Sequence, residues 1–123
     1  MKELNIYIFT HTNSLTTVTE ILRRHNIAGM AFSEIYATGH TKRKEVPEMV
    51  RHYQTGRMTT PEHEKRTKVE TLVPDSEADS IVQELVKSIG TESEPGGLVF
   101  VKDVSNAYLL GTSRSGESML IKE

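Results

Sequence analysis

Cysteine is absent from the 123 residues. That excludes a disulfide scaffold, a thiolate nucleophile and a cysteine-ligated zinc or iron–sulfur site, and it fits a reducing cytosolic home. No stretch approaches the roughly 18–20 apolar residues of a membrane helix. The apolar run in MKELNIYIFTHTN is too short for a signal-peptide core, and the closing Leu120-Ile121-Lys122-Glu123 carries no lipidation box. Neither charge sign dominates: 15 basic and 17 acidic residues leave a net −2, where a dedicated nucleic-acid binder is usually basic. There is no Gly-Lys-Ser/Thr of a Walker loop. His11, His25, His40, His52 and His63 show no His-x-x-x-His or Glu-x-x-His spacing, so no metal site is expected. No nucleophile elbow or carboxylate pair marks a catalytic centre, so enzyme activity is not expected. What remains is a globular composition, 36% apolar and 26% charged, sized for one cytoplasmic domain over residues 1–123.

The pattern along the chain is strand–helix–strand, a long connection, then strand–helix–strand. Leu4, Ile6 and Ile8 alternate with Asn5, Tyr7 and Phe9, which predicts a strand over Leu4–Thr10 with bulk on both faces. Asn13 or Ser14 can cap the helix whose stripe is Leu15, Val18, Ile21 and Leu22, and Arg23, Arg24 and His25 suit the negative end of its dipole. Ile27–Thr38 reads as a second strand, with Gly29 near its start. Lys68–Val73 reads as a third. Pro74-Asp75-Ser76 opens a second helix, with Ser76 and Asp79 at capping-box spacing, and Gly90 is a natural stop. Its stripe of Ala78, Ile81, Val82, Leu85, Val86 and Ile89 is the cleanest in the chain. Residues 91–97 form a polar loop, Leu98–Lys102 a fourth strand, and the tail a turn with short extended structure around Tyr108–Leu110.

Two similar units offset by about 64 residues predict an α+β, ferredoxin-like split βαβ fold (βαββαβ). Both helices would cover one face of a four-stranded antiparallel sheet. Tyr7, Phe9, Leu72 and Phe100 or Val101 cannot all point at those helices. A second apolar face on so small a domain suggests self-association; the alternative is a face half-covered by the loop or the tail.

The connection from His40 to Arg66 has few apolar residues and no clear period, and a connection this long inside a compact domain is often functional. A short helix over Pro47–Tyr53 is the one element expected in it. Residues 40–68 hold eight basic and four acidic side chains, a local +4, and the remainder of the chain, with seven basic and thirteen acidic, carries −6. Such a loop can meet phosphate, an acidic partner or nucleic acid. A nucleic-acid-binding module is the alternative reading, weakened because Tyr53 is the loop's only aromatic residue. Gly39 at the mouth of the loop and Gly96-Gly97 before the last strand would let backbone N–H groups approach an anion closely; turn chemistry alone is the plainer reading.

Several segments in this order resemble the PII signal-transduction family. NIAGMAFSEIYATG resembles its second strand and the entry to its long T-loop. KVETLVPDSEADSIVQELVKSIGT resembles its third strand, Val-Pro-Asp turn and second helix. GGLVFVKDVSNAYLLGTSRSGE resembles its fourth strand and C-terminal segment. The resemblance implies a homotrimer that binds an adenine nucleotide (AMP, ADP or ATP) in clefts between subunits. It also implies a T-loop, here 40–66, that docks on a target such as an ammonium or other transporter. The B-loop is then 91–97 and the C-terminal segment 103–123. Gly39 matches the glycine at the T-loop base, flanked by Thr38 and His40. Gly29 and Met30 match a wall from the neighbouring subunit, and Leu72 lies near the expected adenine pocket. Gly96 and Gly97 fall in the B-loop, where Gly97 matches a family glycine and Pro95 replaces another. Arg66 falls near a family lysine at the far end of the T-loop.

This sequence also departs from the family. Leu98 stands where a lysine usually follows the last B-loop glycine. Leu109 and Gly111 stand where two arginines usually hold phosphates, and Thr41 replaces a glutamine linked to metal and 2-oxoglutarate. Each lost charge-assisted contact is worth about 1.5–3 kcal/mol, so the resemblance implies a divergent regulator that binds a nucleotide or small anionic effector with less phosphate affinity. A ligand-independent adaptor is the alternative within the same family.

Overall fold

The computed structural model describes residues 1–10, 13–38, 50–51, 58–59, 64–91 and 93–122. The chain runs β1 (Lys2–Phe9), α1 (Ser14–Arg24), β2 (Ala31–Ala37), β3 (Val50–Arg51), β4 (Met58–Thr59), β5 (Glu64–Val73), α2 (Asp75–Ser88) and β6 (Gly97–Asp103). A 3-10 turn at Glu117–Leu120 follows. The main sheet has the order β2-β5-β1-β6 with every neighbour antiparallel, the ferredoxin-like arrangement expected from the pattern. β3 and β4 pair with each other in a separate two-stranded ladder.

Alternation along β1 decides which side of the sheet is the core. Leu4, Ile6 and Ile8 are buried, and they join Val69 and Val73 of β5, Val18, Ile21 and Leu22 of α1, and Ala78, Ile81 and Leu85 of α2 in one cluster. The stripes read from the sequence are therefore the inward faces of both helices, with Leu15, Val82 and Ile89 partly buried at their margins; Val86, counted in the α2 stripe, is instead exposed. On the period-2 rule the other side of the sheet carries Asn5, Tyr7 and Phe9 of β1, Arg66, Lys68, Glu70 and Leu72 of β5, and Leu98, Phe100 and Lys102 of β6. Tyr7 stacks on Phe100 at 5.8 Å between ring centroids. Arg66 lies over the Phe9 ring, and Lys68 and Lys102 lie near those of Tyr7 and Phe100. Aromatic rings on this face are thus partly roofed by basic side chains whose stems bury and whose heads stay polar. Val101, offered in the sequence as an alternative to Phe100, points to the helix side.

Local chemistry explains the boundaries that differ from expectation. α1 ends in a Schellman motif: the Ile27 N–H donates to the Leu22 carbonyl at 3.0 Å and the Asn26 N–H to that of Arg23 at 3.0 Å. Asn26 supplies the left-handed residue, with φ 58°. This turn delays β2 to Ala31, so Ile27 makes only an isolated bridge, with Ile121. β5 begins at Glu64 rather than Lys68, which takes the last three residues of the 40–66 segment into the sheet. Val50–Arg51 is extended rather than helical, and the rest of Pro47–Tyr53 lies outside the described residues. α2 starts two residues earlier than its capping-box spacing predicts. Pro74 is the N-cap, and the orphan Asp75 N–H is satisfied from a distance by the Glu117 carboxylate at 2.7 Å. Asn13 is the N-cap of α1 but its side chain makes no capping bond. The tail is better organised than its sequence suggests: Tyr108 bridges Ser115, and the 3-10 turn buries Leu120 in the core region.

Candidate functional site

The residues singled out in the sequence fall into three places. Gly29, Met30 and Leu72 line one cavity of about 530 Å³, together with Glu3, Glu70 and Leu120. Met30 packs on the core from its edge, and the Gly29 carbonyl accepts a 2.7 Å hydrogen bond from the Thr71 hydroxyl. Strand β5 thereby holds the 26–30 segment against the sheet. The cavity is mainly apolar, with two carboxylates at its rim.

Gly96, Gly97 and Leu98 line a second cavity of about 560 Å³, between the end of α2 and the start of β6, with Leu85, Val86 and Lys87. The loop above it is closed by its own backbone. The Thr91 N–H reaches the Glu94 carbonyl at 2.9 Å, the Glu94 N–H reaches the Thr91 hydroxyl at 3.0 Å, and Gly90 bridges Pro95. Gly90 and Gly96 lie so close that a Cβ on Gly90 would meet the Gly96 nitrogen at 2.2 Å, so side chains are excluded there. Leu98, where a phosphate-binding lysine would be useful, is half exposed at the cavity mouth. Among the described residues that line this cavity Lys87 is the only cationic side chain.

Thr38 and Arg66 mark a third place, the end of the sheet where the long connection leaves and returns. Thr38 follows β2 and is exposed. Arg66 is only 5% exposed; its Nη1 donates to Glu64 Oε2 at 2.8 Å, and its guanidinium carbon sits 4.2 Å from the Phe9 ring centre. That guanidinium is already committed to neighbours within its own chain. Gly39 and His40 lie outside the described residues, as do Thr41 and Tyr53.

Register shows how these places relate. Gly97 pairs with Ile8, and Arg66 with Phe9, at one end of the sheet; Leu72 pairs with Glu3 at the other. Five residues of β1 separate the two ends, about 17 Å of strand. The Gly96–Leu98 group shares its end with Arg66, and the Gly29–Met30–Leu72 group stands apart.

Sequence reasoning passed over one cluster of charged groups. His25, read as a helix-end residue, is indeed the C-cap of α1. Its Nδ1 lies 2.8 Å from Glu77 Oε2, and its Nε2 lies 2.5 Å from Glu84 Oε2. Arg24 Nη1 approaches the other Glu84 oxygen at 3.4 Å. Burial works against a charged ring, yet the bonds to Glu77 and Glu84 outweigh it and raise His25 above the ordinary histidine value. The His25 hydrogen bond holds the Glu84 carboxyl below its usual range. The seven-residue spacing of Glu77 and Glu84, two turns apart on one face of α2, was the available signal. Among the described residues no group of His, Cys, Asp and Glu is placed to hold a metal, and no helix is long and apolar enough to cross a membrane.

A four-stranded antiparallel sheet with two helices on one face, a long insertion between its second and third principal strands and a glycine-closed loop before the last defines a ferredoxin-like α+β protein. Residues 1–114 match the family model described as nitrogen regulatory protein P-II, and the chain belongs to that family. Proteins of the family are regulators rather than enzymes, generally bind adenine nucleotides, and are typically trimers that bind target proteins. Comparison with curated proteins gives no match.

Proposed function

We propose that this chain is a PII-like signal-transduction regulator of one domain, acting in the cytoplasm as a homotrimer. It binds an adenine nucleotide or small anionic effector in clefts between subunits and controls a transporter or metabolic enzyme through its 40–66 loop. The observation that supports this best is the separation of the candidate residues. Gly29, Met30 and Leu72 belong to one cavity, and Gly96, Gly97 and Leu98 to another, about 17 Å away along the strands. One chain cannot bring both groups to one small ligand; a cleft between two copies can.

The chemistry of the second cavity bears on the ligand. With Leu98 at its mouth and Lys87 as the one cation among its described lining residues, it favours a ligand with fewer phosphates over a triphosphate. Calorimetry with ATP, ADP, AMP and cyclic AMP, with and without 2-oxoglutarate and bicarbonate, tests this reading. Binding of AMP or ADP at least as tightly as ATP is the expected result. Failure of all four leaves a ligand-independent adaptor, and a monomer in sedimentation analysis overturns the inter-subunit site.

A further inference from the structure

Residues 26–30, of which Ala28, Gly29 and Met30 line the first cavity, are pinned from three directions. On its N-terminal side the segment follows directly from His25, the residue held between Glu77 and Glu84 of α2. Along its length it pairs with the end of the chain: the Lys122 N–H donates to the Asn26 carbonyl at 2.6 Å, the Ala28 N–H to the Leu120 carbonyl at 2.8 Å, and Ile27 bridges Ile121. From below, Thr71 holds the Gly29 carbonyl. The terminal segment is itself fastened to α2, because Glu117 caps the Asp75 N–H and also lies 3.9 Å from the N-terminal ammonium, which pairs with Asp75 at 3.1 Å. Helix α2 therefore grips both partners of the 26–28/120–122 pairing, one through Glu117 and the other through His25.

Of these fastenings the His25 clasp is the one made by an imidazole, held through both of its ring nitrogens. An imidazole whose two nitrogens each face a carboxylate at hydrogen-bond distance must carry a proton on both; a neutral ring would turn one lone pair toward an anion. The charged groups facing the ring are Glu77 and Glu84 from α2, and Arg24 of α1 shares Glu84. We propose that His25 is a pH-sensitive clasp: protonated, it locks the end of α1 and the segment 26–30 that leads into the cavity wall onto α2, and on deprotonation it releases them. The clasp needs no ligand and does not rest on the nucleotide reading. If an effector does bind against Gly29 and Met30, linkage makes its affinity depend on the same proton.

Direction and steepness follow from linkage. The folded-state value is raised, so the stabilisation is complete below the unfolded value of about 6.5 and disappears as pH rises through the folded value. Between the two values one proton separates closed from open, and the closed-to-open ratio falls up to about tenfold per pH unit before levelling off.

Two measurements on the full-length protein test the clasp. The first follows the His25 ring Hε1 shift by NMR against pH. Its midpoint should lie above 6.5, and Glu77→Gln and Glu84→Gln should each lower it. The second follows the protection factors of the Ala28 and Lys122 amides. In wild type these should fall by up to about tenfold per pH unit above 6.5 and then level. In His25→Lys they should be independent of pH, and in His25→Gln low throughout. A wild-type midpoint at or below 6.5 overturns the proposal without recourse to any variant. So does a raised midpoint with Ala28 and Lys122 protection that ignores pH, since the clasp would then hold nothing beyond itself.

Discussion

Replacing Gly97 by alanine is a sharp test of how β6 joins the sheet. Gly97 has φ +144°, and an ideal Cβ there would lie 1.9 Å from the Tyr7 carbonyl oxygen and 3.2 Å from the Ile8 Cα. The obstacle is strand backbone at the Ile8–Gly97 pair, which no side-chain rotation can relieve. Backbone strain of this kind costs about 1–3 kcal/mol. Peeling the first residue of β6 away also forfeits a ladder hydrogen bond worth about 0.5–1.5 kcal/mol. The expected loss is roughly 2–4 kcal/mol. At an unfolding entropy of about 2.1 cal/mol/K per residue, each kcal/mol lowers the melting temperature of a chain this size by about 4 °C. Gly97→Ala should therefore melt about 8–16 °C low. Gly111→Ala separates the two contributions, because Gly111 has φ +83° but nothing within 4 Å of its Cβ. That variant should lose about 1–2 kcal/mol, or about 4–8 °C. Melting curves at one fixed protein concentration, with amide exchange along β6, supply the comparison. A Gly97→Ala variant no less stable than Gly111→Ala would refute the reasoning, since the clash would then be absorbed without consequence.

Other expectations follow from single contacts. Asn26→Gly keeps the left-handed residue of the Schellman turn and should be neutral or slightly stabilising, whereas Asn26→Val should cost about 1–2 kcal/mol in denaturant melts. Ile81→Ala opens a cavity at a fully buried position and should cost about 2–5 kcal/mol by urea unfolding, while Val86→Ala, on an exposed face of α2, should cost within about 0.5 kcal/mol. The buried Asn5 Nδ2 has no hydrogen-bond partner among the described residues, so Asn5→Leu should leave the melting temperature unchanged or raise it and Asn5→Asp should lower it. Because His25 is raised in the folded state, wild-type stability should decline above about pH 6.5 relative to His25→Gln; parallel pH profiles for the two would contradict the clasp.

How much of this was legible beforehand can be argued residue by residue. The stripes Leu15–Val18–Ile21–Leu22 and Ala78–Ile81–Leu85, and the alternation of Leu4, Ile6 and Ile8, are periodic signals carried by neighbours in sequence. They specified two helices, the strands that flank them and the side of the sheet that is core. The family's motif order pointed to Gly29, Met30, Leu72, Gly96 and Gly97, and structure lines these up on two cavities. The capping of α2 was not legible, because its donor finds Glu117, 42 residues away. Nor was the end of α1: Asn26 can adopt φ 58°, but nothing in Arg24-His25-Asn26-Ile27 announces that β2 must wait until Ala31.

Sequence by itself therefore determined the elements and the fold class, since both rest on local periodicity and on burying one stripe per element. Tertiary structure alone decided which charges meet. His25, Glu77 and Glu84 are 52 and 59 positions apart, and the ends of the chain converge on α2 only after the sheet has closed. The same holds for the two groups of candidate binding residues. The strand register sets them at opposite ends of β1, and the rise of an extended chain, a few ångströms per residue, keeps them apart within one copy.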